Sequence, residues 1–186
     1  MCSVKKSTLK LEGKIHNLPS YAKFFIFAFL LTLSFGYYTG VLFVKHTTEF
    51  NPQGIEESYN GNQVEEIPED DWENDDWEDE NSNPLKYKKS EQEIISIVHA
   101  HVISFSLIFL LLGVIVMLTS IPIWLKKILI IEPFISIILT FGGIWMLWKD
   151  IAWMKYIVMF SGVLLTITFS ISVLIVIQQL LKKPTA

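Results

Sequence analysis

The chain contains no arginine; its fifteen basic side chains are all lysines. With that absence and a net charge of −4, the composition excludes ordinary nucleic-acid binding. There is one cysteine, Cys2, so no intrachain disulfide can form. Cys-x-x-Cys, HExxH, GxSxG and a phosphate-cradling glycine loop are all missing. The usual motifs for dithiol redox chemistry, zinc hydrolysis, acyl transfer and nucleotide binding are therefore absent.

Charge is also missing from most of the chain's length. Of 186 residues, 51% are hydrophobic, and the mean hydropathy is +0.41. That is too apolar for an ordinary soluble domain. Four runs, 21–44, 94–118, 128–148 and 154–181, reach the roughly 20 apolar residues that a bilayer core demands. Lipid offers no partner to a free N–H or C=O, so each run must be helical. The first run stays apolar through Val44, longer than a signal-peptide core, and reads as an uncleaved anchor. The fold class expected is all-α: a four-helix transmembrane bundle, up-down-up-down, with a tail at 1–20 and one long acidic extracytoplasmic loop at 45–93.

Lysines set the expected orientation. With the N-terminus inside, nine lysines are cytoplasmic and six (Lys45, Lys86, Lys88, Lys89, Lys149 and Lys155) are outside. The short hinge carrying Lys126 and Lys127 holds no acid, which strengthens the bias. Both termini are read as cytoplasmic.

The loop concentrates the acids. From Glu49 to Glu80 there are fourteen carboxylates and no lysine. A short repeat, Asp70-Asp71-Trp72-Glu73-Asn74 and Asp75-Asp76-Trp77-Glu78-Asp79, marks its densest part. Like charges repel and stay solvated, so the loop is expected to be largely disordered. Its working possibilities are docking of a basic partner, with Trp72 and Trp77 as anchors, or weak divalent-cation capture. Ser90-Glu91-Gln92-Glu93 fits a capping box and predicts a helix starting at Glu91.

Three of the four histidines fall near one membrane face. His46 follows the first run, and His99 and His101 lie early in the second. Intramembrane ionisable groups default to a functional reading, and neutral imidazole is a common metal and haem ligand. Residues two apart on a helix point about 200° apart, so His99 and His101 cannot share one metal. His99 and His46 are the candidate metal ligands; His99, His101 and His46 are the candidate cofactor ligands, with haem b the cofactor considered. The bland reading leaves the rings hydrated at headgroup level or bonded to Ser104, Tyr37 or Tyr38. The glycines Gly36, Gly40, Gly142, Gly143 and Gly162 admit close helix packing, and Gly36-Tyr-Tyr-Thr-Gly40 is a GxxxG pattern. Glu132, followed by Pro133, is read either as a proton-relay carboxylate or as a first-turn acid suited to the helix dipole. Trp145, Trp148, Trp153 and Tyr156 form an expected aromatic belt at the outer turn.

The stretch "HAHVISFSLIFLLLGVIVML", over His99, His101 and Gly113, resembles the His-x-His helix of the haem–copper oxidase catalytic subunit. In that family the two histidines bind two haems from opposite helix faces. The family's copper-binding His-His pair has no counterpart here, so oxidase activity is not implied. The segments "GYYTGVLFVKHTTEFNPQGIEESYNGN" and "KKILIIEPFISIILTFGGIWMLW" resemble small four-span membrane proteins of Bacteroidota. That resemblance implies a bacterial inner-membrane location and a shared motif containing His46, Gly54 and Asn60. The resulting expectation is a non-catalytic or electron-transfer subunit with a haem or metal site at the outer face. Its partners are the lipid bilayer and a membrane protein or a basic extracytoplasmic partner. The alternatives are an interaction protein working through the acidic loop, with no cofactor, and a small ion or proton transporter.

Overall fold

A computed structural model describes residues 14–62 and 86–182. Among them every regular element is helical: a short 3-10 turn (Lys14–Asn17), then α1 (Ser20–Thr48), α2 (Pro52–Asn60), α3 (Glu91–Met117), α4 (Ile123–Trp148) and α5 (Met154–Leu181). Four of these, α1, α3, α4 and α5, are long and apolar enough to cross a membrane. The shortest has 26 residues, or roughly 39 Å at 1.5 Å per residue, against a hydrocarbon core of about 30 Å. Contacts at the two ends give the up-down-up-down order. The Ile15 N–H donates to the Leu118 carbonyl, which sets the start of α1 beside the end of α3. At the other end α2, just past α1, packs on the end of α4 and the start of α5.

Local chemistry explains the boundaries. Residues Glu49 and Phe50 both take left-handed φ values, 52° and 54°, and stop α1 four residues beyond the apolar run that ends at Val44. The capping box at α3 forms as expected: Ser90 Oγ accepts from the Glu93 N–H at 3.3 Å, and the Glu93 carboxylate accepts the Ser90 N–H at 2.7 Å. Helix α4 starts at Ile123, five residues before the expected 128, so Lys126 and Lys127 lie inside it. Its hinge end is locked by polar contacts. The Lys126 ammonium is buried and donates to the carbonyls of Met117 at 3.1 Å and Thr119 at 2.9 Å, while Gln179 Oε1 accepts from the Ser120 N–H at 2.7 Å. The two lysine bonds use carbonyls that the end of α3 would otherwise leave unpaired, and the glutamine bond takes up an N–H of the hinge.

Helices α3, α4 and α5 form the packed core, around Phe109, Leu112, Ile137, Phe141, Leu165 and Phe169. Lipid gives apolar surfaces no reason to meet, so close approach decides packing. At Gly143 an added Cβ would lie 2.8 Å from Val158 Cγ2, which makes this the tight point between α4 and α5. Helix α1 is different. Only 6% of its most apolar stretch is buried, against 39% in α4 and in α5. It leans on α5 through Tyr37, whose ring stacks on Phe169 at 4.0 Å and whose hydroxyl bonds Thr166 at 3.1 Å. The GxxxG glycines Gly36 and Gly40, and also Gly142 and Gly162, meet nothing within 4 Å. Of the glycines expected to serve helix packing, Gly143 does so within the chain and these four do not.

The expected loop at 45–93 is folded at both of its described ends. Asn51-Pro52 is a helix start: Asn51 Oδ1 accepts from the Gln53 N–H at 3.1 Å, and Pro52 occupies the first helical position. The acidic repeat with Trp72 and Trp77, and Cys2, lie outside the described residues.

Candidate functional site

The described ends of the outer loop build a cap over the turn between α4 and α5. Its foundation is a sharp corner from α1 into α2. Gly54 lies directly on the backbone of Thr48: a Cβ there would collide with the Thr48 carbonyl oxygen and sit 2.8 Å from its carbon. Ser58 Oγ braces the corner by donating to Gly54 O at 2.7 Å, with Thr47 O at 2.9 Å. Ile55 is buried beneath α2. Tyr59 is largely buried as well, and this burial pushes its phenol above the usual tyrosine range.

Hydrogen bonds then tie the cap to the bundle. Asn60 Nδ2 donates to the Leu147 carbonyl at 2.9 Å, satisfying an acceptor at the end of α4. Trp148 Nε1 donates to the Lys89 carbonyl at 2.8 Å, so this member of the aromatic belt also holds the cap. Ion pairs surround these bonds: Lys155–Glu56 at 2.7 Å, Lys88–Asp150 at 2.8 Å, Lys86–Glu57 at 3.6 Å and Lys149–Glu91 at 3.9 Å. Exposed pairs contribute little individually, about 0–1 kcal/mol. The Lys155–Glu56 pair is the most sheltered, with the lysine side chain 15% exposed.

At the top of the cap the chain is clasped. The Asn62 N–H donates to Lys86 O at 3.0 Å, and the Lys86 N–H returns a bond to Asn62 Oδ1 at 2.6 Å. Gly61, at φ 81°, turns the chain into this clasp; a Cβ there would stand 2.5 Å from Lys86 O. The Lys89 N–H adds a bond to Tyr59 O at 3.0 Å. The two residues that flank 63–85 thus meet at one point. Between the clasped residues the sequence carries eleven carboxylates and no basic residue.

The histidines are placed separately. His46, His99 and His101 are all exposed on the chain. His101 Nδ1 lies 2.8 Å from the Ile97 carbonyl, its ring 5.2 Å from Phe141 and 6.1 Å from Phe105. A carbonyl can only accept, so Nδ1 carries a proton and donates it to Ile97 O. That bond goes to backbone, and not to Ser104, Tyr37 or Tyr38. Among the described residues no group of three or more His, Cys, Asp or Glu side chains is placed to hold a metal ion.

Glu132 is the tenth residue of α4, well past the first turn, so the dipole reading does not apply. Its Oε1 accepts a hydrogen bond from Ser136 Oγ, and its Oε2 is buried without a partner. One turn further on, the Thr140 and Ser161 hydroxyls pair at 2.7 Å.

Sequence reasoning singled out His46, Gly54 and Asn60 through a resemblance; Gly54 and Asn60 have structural roles in the cap, and His46 does not bond to it in any contact described here. It missed Lys88, Asp150 and the capping role of Trp148. The available signal was the set of lysines 86, 88 and 89, which re-enter the chain opposite Glu56 and Glu57.

Spans, core and cap together define a polytopic integral membrane protein with a folded extramembrane cap. The family model Aq_1264_TM, a transmembrane helical domain, matches residues 49–186, and the chain belongs to that family. The match begins at Glu49, so the family domain comprises α2 to α5. Helix α1 lies outside it, in keeping with its sparse packing. No curated protein and no solved structure matches the chain.

Proposed function

We propose that this protein is a non-catalytic subunit of a bacterial inner membrane that presents its acidic segment, residues 63–85, to a basic partner on the non-cytoplasmic side. The clasp between Asn62 and Lys86 carries this reading. It joins both ends of a strongly anionic segment to one firm point on the membrane domain. Tethering at both ends reduces the conformational freedom that a partner must remove on binding. The cap's own acids are largely taken up in lysine pairs, and the sequence between the clasped residues adds eleven carboxylates with no basic residue. The lysine bias, nine against six, supports an outer position for the cap.

The test is recovery of cross-linked partners from native membranes, using the full chain and a variant with the eleven carboxylates of 63–85 changed to their amides. The amide variant is expected to lose most of its partner, and wild-type recovery is expected to fall as salt is raised. Recovery unaltered by the amides rejects the docking role.

A second reading rests on the His101 hydrogen bond. With Nδ1–H held by Ile97 O, Nε2 of His101 would be the atom to hold a haem b, which would supply one-electron chemistry at the exposed edge of α3. Protein purified in mild detergent is then expected to show a Soret band that shifts with dithionite and is lost in His101→Ala. A colourless preparation from haem-replete cells eliminates this second reading and leaves the docking proposal standing.

A further inference from the structure

We infer that the groove beside Glu132 is a binding site for a membrane-soluble amphiphile, one with an apolar body and a single hydrogen-bond-donating head. The proposal is independent of the acidic segment and of the histidines. The groove lies between α4 and α5 and has a volume of about 440 Å³, within the roughly 300–1,000 Å³ common for small-molecule sites. Ile131, Ile135, Leu139 and Phe160 form its walls, and all four are exposed at its mouth. Such a wall suits an acyl or other hydrocarbon chain entering sideways from lipid.

The polar residues beneath the groove specify the head. They are Glu132, Ser136 and Ser161, whose polar atoms lie under its apolar surface. Ser136 already donates its hydroxyl proton to Glu132 Oε1. Ser161 is engaged with Thr140 and with the Ile157 carbonyl at 2.8 Å. Glu132 Oε2 is buried with no donor. Pro133 has no N–H, so the Leu129 carbonyl one turn earlier also loses its helical donor. Lys127 lines the same groove, yet no lysine pairs with Glu132 among the described residues. The unpaired Glu132 oxygen therefore lies just beneath an apolar groove surface that water does not readily reach, and the neighbouring hydroxyl donors are committed. A buried acceptor without a donor is costly in such surroundings. An O–H or N–H head completes the site, whereas a head with acceptors alone meets like polarity. The donor can come from a neutral hydroxyl or from an ammonium, and both share the chemistry that the buried oxygen demands.

The experiment uses the full chain in phosphatidylcholine nanodiscs with isotope-labelled isoleucine methyls. 1-Dodecanol, dodecylamine and dodecyl methyl ether are titrated separately. Saturable shifts at Ile131 and Ile135 are expected with the alcohol, the amine or both, and binding at least about ten-fold weaker with the ether. Response to the alcohol alone identifies a neutral head, and response to the amine alone a cationic one. Glu132→Leu is expected to weaken binding about ten-fold or more. Should that variant not fold, Ile135→Trp, which fills the groove from an exposed position, is expected to abolish the Ile131 shift. Equal binding of ether and donor-bearing probes, no saturable shift at all, or undiminished binding in either folded variant overturns the proposal.

Discussion

Gly54→Ala is expected to release the cap from the bundle. On propensity alone the change should help, because alanine in a helix interior is favoured over glycine by about 1 kcal/mol. The tertiary contact has the opposite sign and is larger. The new methyl would fall on the Thr48 carbonyl, a backbone group that cannot rotate aside as a side chain could. Overpacking of this kind costs about 1–3 kcal/mol where neighbours can adjust, and more where they cannot. The corner between α1 and α2 must therefore open, which moves Asn60 away from Leu147 and Glu56 away from Lys155. A net loss of about 2 kcal/mol corresponds to roughly a thirty-fold faster exchange of α2 amides, since about 1.4 kcal/mol is a factor of ten. Hydrogen exchange in nanodiscs reads this directly, with α4 and α5 as the internal standard. Protection of α2 equal to wild type would show that the corner tolerates a side chain. Gln53→Ala, at an exposed neighbouring position, should leave exchange unchanged.

Lys126→Met is expected to loosen the opposite end of the molecule, while Lys127→Met should do almost nothing. The two lysines are adjacent in sequence but not equivalent in space. Lys126 is 9% exposed and bonds two carbonyls at the end of α3, whereas Lys127 is exposed. Hydrogen bonds from a charged donor contribute about 1.5–3 kcal/mol each. Relief from burying an ammonium offsets part of that loss. A net destabilisation of about 2 kcal/mol is expected, visible as a lowered unfolding midpoint in mixed micelles. For Lys127→Met the change should stay within about 0.5 kcal/mol, as for most surface substitutions. Equal midpoints for the two variants would mean that Lys126 holds no part of the hinge.

Features governed by local chemistry were legible beforehand. The capping box at Ser90 and Glu93 depends on residues three apart and forms where expected. Corner and hinge were hidden because their chemistry is long-range. Asn60 satisfies a carbonyl eighty-seven positions away, and nothing near Asn60-Gly61 distinguishes that role from an ordinary turn. Lys126 was counted as a hinge charge because a buried lysine and a solvated one look alike in a string. The first-turn alternative for Glu132 takes the helix to start with the apolar run at Ile128, whereas α4 begins earlier, behind Pro122.

By itself the order of residues determined an all-helical protein with four membrane crossings, because uninterrupted apolar runs of that length leave the backbone only its own hydrogen bonds in lipid. Only the tertiary structure decided which ends meet: the cap over the turn from α4 to α5, the clasp at Asn62 and Lys86, and the groove beside the buried Glu132 oxygen. The physical reason is that a span's burial in lipid depends on composition, a sum over neighbours in sequence. Docking instead depends on individual donors and acceptors meeting at hydrogen-bond distance, and that distance exists only once the helices have packed.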